Sequence, residues 1–283
     1  MQKTAVLFIF LWTVLVPALQ AQYYYQDIIT NKYNHEQFQL MKKEKVTGVS
    51  MKSVEATGET TEGFFMEQQF NNSYTQLKTI TKLPAAKEKS VMVNYFNQQG
   101  FLYRTVDSSE NSITIYEYSY GPDGKIVSIL NTSRSQEDKI KTTESHTWIY
   151  NEKGFPEKMI RVRENADTME IRLIVDDKGK VTEEQSMRKG LAGDKVFYYY
   201  DDAGRLTDIV RYQDKLGKLI PDYTFDYNAE GRLAEMMVVQ QSGKDYLVWR
   251  YDYNSNGLKK KEACYTKQKR LAGSVEYSYE MKK

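Results

Sequence analysis

The sequence predicts an all-β protein: an antiparallel meander of repeated hairpins forming an extended, curled sheet or open shell. Three observations predict it. Seven glycines recur along the chain, at Gly100, Gly124, Gly154, Gly179, Gly204, Gly231 and Gly257, with intervals of 24, 30, 25, 25, 27 and 26 residues. Most follow a pair of apolar residues spaced by two and then a polar turn. The chain also carries 23 tyrosines, yet its mean hydropathy is −0.67. A period of this length defines about seven units of about 25 residues each, and such a repeat sets architecture before function. Tyrosine suits a pleated, half-buried surface, where the ring packs and the hydroxyl reaches water.

Each element follows in chain order. Residues 1–21 read as an export signal, with Lys3 as the positive n-region, an apolar run from Ala5 to Val16, and Pro17-Ala18-Leu19-Gln20-Ala21 as the cleavage site before Gln22. That run is shorter than the roughly 20 residues a membrane span needs. Residues 22–90 lack the glycine register and read as a β-rich N-terminal cap. Strands are expected at 37–40, 46–54, 64–70 and 74–81, and the segment from Gln26 to Lys43 has a short helix as its alternative reading. Repeat arrays need atypical ends to cover an exposed edge. Leu83-Pro84-Ala85-Ala86 then forms a hinge before the array at 91–283.

Within the array the unit reads residue by residue. Four positions before the glycine stand Phe96, Tyr120, Tyr150, Val175, Tyr200, Tyr227 and Tyr253. Six before it stand Asn94, Tyr118, Trp148, Leu173, Tyr198, Phe225 and Tyr251, on the same face of a strand. Three before it, Asn or Asp opens the turn in six of the seven cases, with Gly121 in the remaining one. Asx followed three residues later by glycine marks a type I turn closed by a left-handed residue, which joins two antiparallel strands. The second connections are polar and variable, and Val275 to Tyr279 forms a last up-strand.

The string Tyr200-Asp201-Asp202-Ala203-Gly204-Arg205-Leu206 resembles the YD repeat of the RHS/YD family, and Tyr227 to Leu233 is the same motif with Asn for Asp. The resemblance covers about residues 91 to 280, with those two copies as the close matches. Members of that family build long β-sheets that can curl into a shell, and several are linked to carbohydrate binding or toxin encapsulation. The overall plan resembles the small exported YD-repeat proteins of Bacteroidetes-type bacteria.

Charge and chemistry narrow the function. Forty Lys and Arg against 38 Asp and Glu leave no long-range field for nucleic acid or an anionic membrane. The single cysteine, Cys264, excludes an intrachain disulfide and reads as a small core residue. His35 and His146 read as structural, since with Cys264 they supply too few local ligands for zinc. Ser186-Met187-Arg188-Lys189 matches S-x-x-K by letter without its partner motifs. Asp252, Asn254 and Asn256 before Gly257 have the spacing of a calcium loop, but its twelfth position is Ala263, which has no carboxylate. No metal or other cofactor is therefore expected.

The tyrosine stripe has two readings. Cross-strand packing stabilises a sheet by about 0.2–1 kcal/mol per pair; alternatively, ring faces stack on sugars. Aromatics off the register, Tyr103, Tyr116, Tyr199 and Trp249, are the better sugar-binding candidates. The expectation is a secreted, non-catalytic binding or structural module of the bacterial cell envelope, in the periplasm, at the outer-membrane surface or outside the cell. Its partner would be a glycan or an envelope protein, with no transmembrane segment after signal removal. A polysaccharide-active enzyme and a periplasmic lipid or lipoprotein carrier are the competing readings.

Overall fold

A computed structural model describes residues 23–213, 217–240 and 245–282, so the expected signal at 1–21 lies outside the described residues. One helix, α1 (Gln26–Lys43), precedes the strands. They are β1 (Val46–Glu55), β2 (Phe65–Phe70), β3 (Gln76–Lys82), β4 (Ser90–Phe96), β5 (Leu102–Ser108) and β6 (Ser112–Tyr120). There follow β7 (Ile126–Ser135), β8 (Lys141–Tyr150), β9 (Pro156–Arg163), β10 (Asp167–Val175), β11 (Val181–Arg188) and β12 (Leu191–Tyr200). The chain ends with β13 (Leu206–Gln213), β14 (Lys218–Tyr227), β15 (Leu233–Val239), β16 (Tyr246–Tyr253), β17 (Lys259–Thr266) and β18 (Leu271–Met281). Thus the region 22–90 supplies α1 and β1–β3, and the Gln26–Lys43 segment takes the helical alternative.

Every strand pairs antiparallel with its sequence neighbour, as the meander requires. The turns have the expected chemistry. At Gly204 the backbone N–H bonds to Asp201 O at 2.8 Å, and Asp201 N bonds to Arg205 O at 3.0 Å. The Asp201 carboxylate also accepts from Arg205 N at 2.8 Å. Gly204 has φ +75°, a left-handed conformation that glycine adopts without the Cβ penalty. The other six register glycines lie between φ +74° and +89° and close the same backbone ring.

A second regularity joins one hairpin to the next. Before five of the register glycines the residue four positions earlier is a tyrosine whose hydroxyl donates to a carbonyl two residues after the preceding glycine, and Tyr279 repeats the contact at the end of the array. Tyr120 donates to Leu102 O (2.6 Å), Tyr150 to Ile126 O (2.7 Å), and Tyr200 to Val181 O (2.8 Å). Tyr227 donates to Leu206 O, Tyr253 to Leu233 O and Tyr279 to Lys259 O, each at 2.8 Å. These carbonyls sit where the ladder register shifts, so a side chain satisfies an acceptor that regular pairing has disturbed. Phenylalanine would fill the same space without that bond.

The expected extended, curled sheet or open shell is corrected by closure: the eighteen strands form a complete barrel. β1 pairs with β18 from Gly48↔Glu280 to Glu55↔Gly273. The last up-strand therefore finds its partner in the N-terminal region, and both sheet edges disappear. Closure pairs the backbone groups that an open edge would leave unpaired.

Alternation sorts the wall into two faces. Inward positions carry the apolar clusters, among them Met159, Ile171, Val181 and Val196, all 2% exposed or less. Outward positions carry charge. Glu67 and Lys78 are exposed between buried neighbours, Lys52 is exposed beside buried Ser53, and Glu170–Arg172, Glu183–Lys195, Glu235–Arg250 and Lys261–Glu276 form ion pairs there. A lipid-facing barrel wall needs an apolar band about 25 Å tall, and each Lys or Arg at mid-membrane costs about 2–4 kcal/mol. The outward face mixes these charged pairs with apolar residues such as Ile115 and Leu130. Among the described residues no helix is long and apolar enough to cross a membrane.

Candidate functional site

The lumen holds α1. Phe38 and Met41 pack with Val46, Phe70, Leu77 and Phe96. Tyr24 packs with Ile126, Trp148, Met159 and Ile171, and Tyr23, Tyr25 and Ile29 pack against a third cluster around Val196, Tyr198 and Tyr223. The helix therefore touches wall segments from all around the barrel. It lies at the glycine-turn end: Phe38 stacks on Phe96 at 4.1 Å, His35 stacks on Phe101 at 4.5 Å, and Asn31 donates to the Tyr120 hydroxyl at 2.7 Å. At Gly100 an added Cβ would lie 2.7 Å from the Phe38 ring, so this turn accepts the helix only as glycine.

Two acidic groups, Glu184 buried and Asp27 half-buried, fix the start of the helix. Glu184 of β11 accepts Tyr24 N at 2.8 and 3.0 Å, Tyr25 N at 2.8 Å and the Tyr198 hydroxyl at 2.8 Å. A carboxylate at a helix N-terminus meets unpaired N–H groups and the positive end of the helix dipole. Burial nevertheless pushes the Glu184 pKa up, opposed by those three donors. Asp27, in the first turn, meets His146 Nδ1 at 2.7 Å and accepts from Trp148 Nε1 at 3.2 Å. His146 Nε2 meets Glu144 at 3.2 Å, and Arg161 Nε donates to Glu144 at 2.9 Å. Burial alone would lower the His146 pKa, but the Asp27 and Glu144 carboxylates raise it to about 9. The hydrogen bond from His146, against a smaller burial penalty, takes Glu144 down to about 2, with Arg161 adding to the effect.

Beyond this network the wall turns polar. Residues directly opposite on neighbouring strands share a face. Asn94, Thr105, Tyr116, Asn131 and Glu144 therefore form one inward row across β4–β8. Asp107, Thr114 and Ser133 form the next row, toward the end of the lumen away from the glycine turns. Thr105 donates to Asn94 Oδ1 at 2.8 Å, and the Thr114 and Ser133 hydroxyls lie 3.1 Å apart. The Tyr116 and Tyr118 rings are near-parallel, at 6.4 Å and 23°. Among the described residues the buried Asn131 Oδ1 has no hydrogen-bond partner. Burial raises the pKa of Asp107, with no cation opposing it. It also raises that of Tyr116, to which the Asp107 and Glu144 charges add and which a hydrogen bond with the Asn131 side chain opposes. Donor and acceptor groups converging beside aromatic rings in a concave wall are the ordinary make-up of a ligand site.

Of the four aromatics selected from sequence, Tyr116 stands in this polar row. Tyr103 and Tyr199 are 44% and 46% exposed, and Tyr103 neighbours Tyr95 at 6.2 Å. Trp249 is 5% exposed and packed in the cluster around Tyr223, so its ring presents no free face. Of the calcium-like residues, Asp252 pairs in register with Lys261, Asp252 and Asn254 line one shallow pocket with Asn228 and Glu230, and Asn256 donates to Glu44 at 3.2 Å. Among the described residues no three His, Cys, Asp or Glu side chains are grouped to hold a metal. Cys264 is buried, and burial raises its thiol to about 11, far from a thiolate nucleophile. Ser186 lies on β11, while Lys189 sits in the following turn with φ +49°.

Sequence reasoning missed Asn94, Thr105, Asp107, Asn131 and the Asp27–His146–Glu144–Arg161 chain. Their spacing carries no motif, because strand pairing alone brings them together.

No protein-family model matches the chain, and no curated protein matches it. The YD resemblance thus stands on Tyr200–Leu206 and Tyr227–Leu233 themselves. Among solved structures, the chain is similar to a porin-like protein from Bacteroides uniformis, at 9% identity and TM-score 0.42, over 84% of this chain and 97% of that one. A porin-like protein from Bacteroides vulgatus matches at 11% identity and TM-score 0.30, over 83% and 98%. The TcdB2-TccC3 toxin component matches at 11% identity and TM-score 0.35. That match covers 76% of this chain and spans only 12% of the toxin chain.

Proposed function

We propose that this chain is an exported, non-catalytic binding barrel of the bacterial cell envelope. It holds a polar ligand of glycan type against the β4–β8 wall, in the part of the lumen beyond α1. One observation carries this reading: Asn94, Thr105, Asp107, Tyr116 and Asn131 stand on one inward face, and among the described residues Asn131 Oδ1 and the Asp107 carboxylate have no hydrogen-bond partner. An unmet buried acceptor costs about 1–3 kcal/mol, and a ligand hydroxyl removes that cost. Export rests on the signal-like residues 1–21, and the ion pairs on the outer wall suit an aqueous compartment.

The test is thermal unfolding of the purified protein against neutral, acidic and amine-bearing oligosaccharides. A ligand at 100 times its Kd adds about 2.7 kcal/mol to stability. The reading predicts a selective rise in midpoint that Asn131→Ala abolishes and Tyr199→Ala, on the outer wall, does not. A rise lost in Tyr199→Ala instead, or no rise with any saccharide, contradicts it.

A further inference from the structure

Resting on the lumen reading just given, the charge and spacing of the polar wall define the ligand more closely. Of the inward cations here, His146 and Arg161 are committed, while Arg163, opposite Glu144 in the same row, stands exposed four strands away from Asp107. His146 lies between Asp27 and Glu144, and Arg161 donates to Glu144 and lies 4.0 Å from Asp167. Asp107 is left as a carboxylate without an ion pair or side-chain hydrogen bond among the described residues. Its neighbours in the row, Thr114 and Ser133, bond each other and bring no charge. Asn131 offers an acceptor, so the wall asks its ligand for donors and one positive charge.

Spacing sets the size. Asp107 and Asn131 stand two strands apart and two residues out of register. With strands about 4.8 Å apart and about 3.4 Å per residue, their backbones lie about 12 Å apart along the wall. That is about the length of two linked pyranose rings, with Tyr116 between the two acceptors.

We propose that the β4–β8 wall binds an amine-bearing disaccharide, its ammonium group on Asp107, a ring against Tyr116 and a hydroxyl donating to Asn131 Oδ1. The source of such a sugar in the cell is set by export and not by this wall.

Isothermal titration with chitobiose, the glucosamine disaccharide, and cellobiose, its hydroxyl counterpart, tests this. Wild type should bind chitobiose about ten-fold or more tightly than cellobiose, the size of one charge-assisted hydrogen bond. Asp107→Asn should bring the two sugars within about two-fold while leaving the unfolding midpoint equal or higher, since it removes an unpaired, half-buried charge. Asn131→Ala should weaken both. Equal affinities in wild type, both lost in Asn131→Ala, overturn the ammonium assignment and leave the lumen reading intact. Binding of neither disaccharide, with another saccharide still stabilising through Asn131, overturns it as well. If no saccharide of any class stabilises the protein, the lumen reading falls too.

Discussion

Replacing His146 by glutamine removes the charged centre of the network that ties α1 to the wall, and pH provides the lever to measure it. In the folded protein His146 titrates at about 9, against a reference of 6.5. Its stabilisation is therefore complete below pH 6.5 and disappears as pH rises through 9. At 1.36 kcal/mol per pKa unit the loss approaches about 3 kcal/mol. Glu144 titrates at about 2 against 4.5, so its stabilisation is complete above pH 4.5 and is lost as pH falls toward 2. Both shifts report largely one attraction, and their energies are not summed. The network is thus intact from about pH 4.5 to 6.5, and wild-type stability should peak there. For a chain of this size about 3 kcal/mol corresponds to about 6–12 °C in midpoint. Thermal unfolding by far-ultraviolet circular dichroism, for wild type and His146→Gln from pH 6 to 9.5, provides the comparison. The difference between the two proteins should shrink as pH rises. A difference that stays constant across this range refutes the assignment of a charged His146 between Asp27 and Glu144.

Other outcomes follow from the turns, the tyrosine rungs and the closure. Gly204→Val places a β-branched residue at φ +75° and brings a Cβ against Lys180, which should cost about 1–3 kcal/mol by urea denaturation; unchanged stability would contradict the turn assignment. Tyr200→Phe keeps the ring and loses the bond to Val181 O, so about 1 kcal/mol should be lost, whereas Tyr199→Phe, on the exposed outer wall, should be neutral. Ser50 and Ser278 face each other across the β1–β18 seam, so cysteines at both positions in a Cys264→Ala background should oxidise to an intrachain disulfide identified by peptide mass. Two free thiols persisting under oxidant would mean that the barrel is open.

The local rules of this fold were legible and its global closure was not. Asn or Asp three before glycine, with tyrosine one position earlier, encodes a turn whose chemistry spans only five residues, so Asp201–Arg205 could be read directly. The Gln26–Lys43 helix was readable only as an alternative, because its inward face is broken by Asn31 and His35, whose partners Tyr120 and Gly100 lie far along the chain. Closure depends on β1 meeting β18, a pairing separated by more than the length of the glycine array, and β1 carries no glycine register to announce it. The tyrosine stripe was legible as packing, but its hydroxyl bonds to carbonyls one hairpin away were not. The site suffered the same blindness: Asp27 and His146 are 119 residues apart. Asp107 and Asn131 look in sequence like any strand-end polar residues. Tyr116 was selected as an aromatic off the register, and the structure supplies what selection could not, the polar row beside it.

The measurement that bears most directly on the account is hydrogen–deuterium exchange of the intact protein with and without an equimolar mixture of chitobiose, cellobiose and diacetylchitobiose. A ligand held against the inner wall should slow exchange in peptides from 91–147, covering β4–β8, and leave the outer connections of β11–β14 unchanged. Slowing confined to segments around the exposed Tyr199 and Tyr212, or no slowing anywhere, would contradict a binding site inside the barrel.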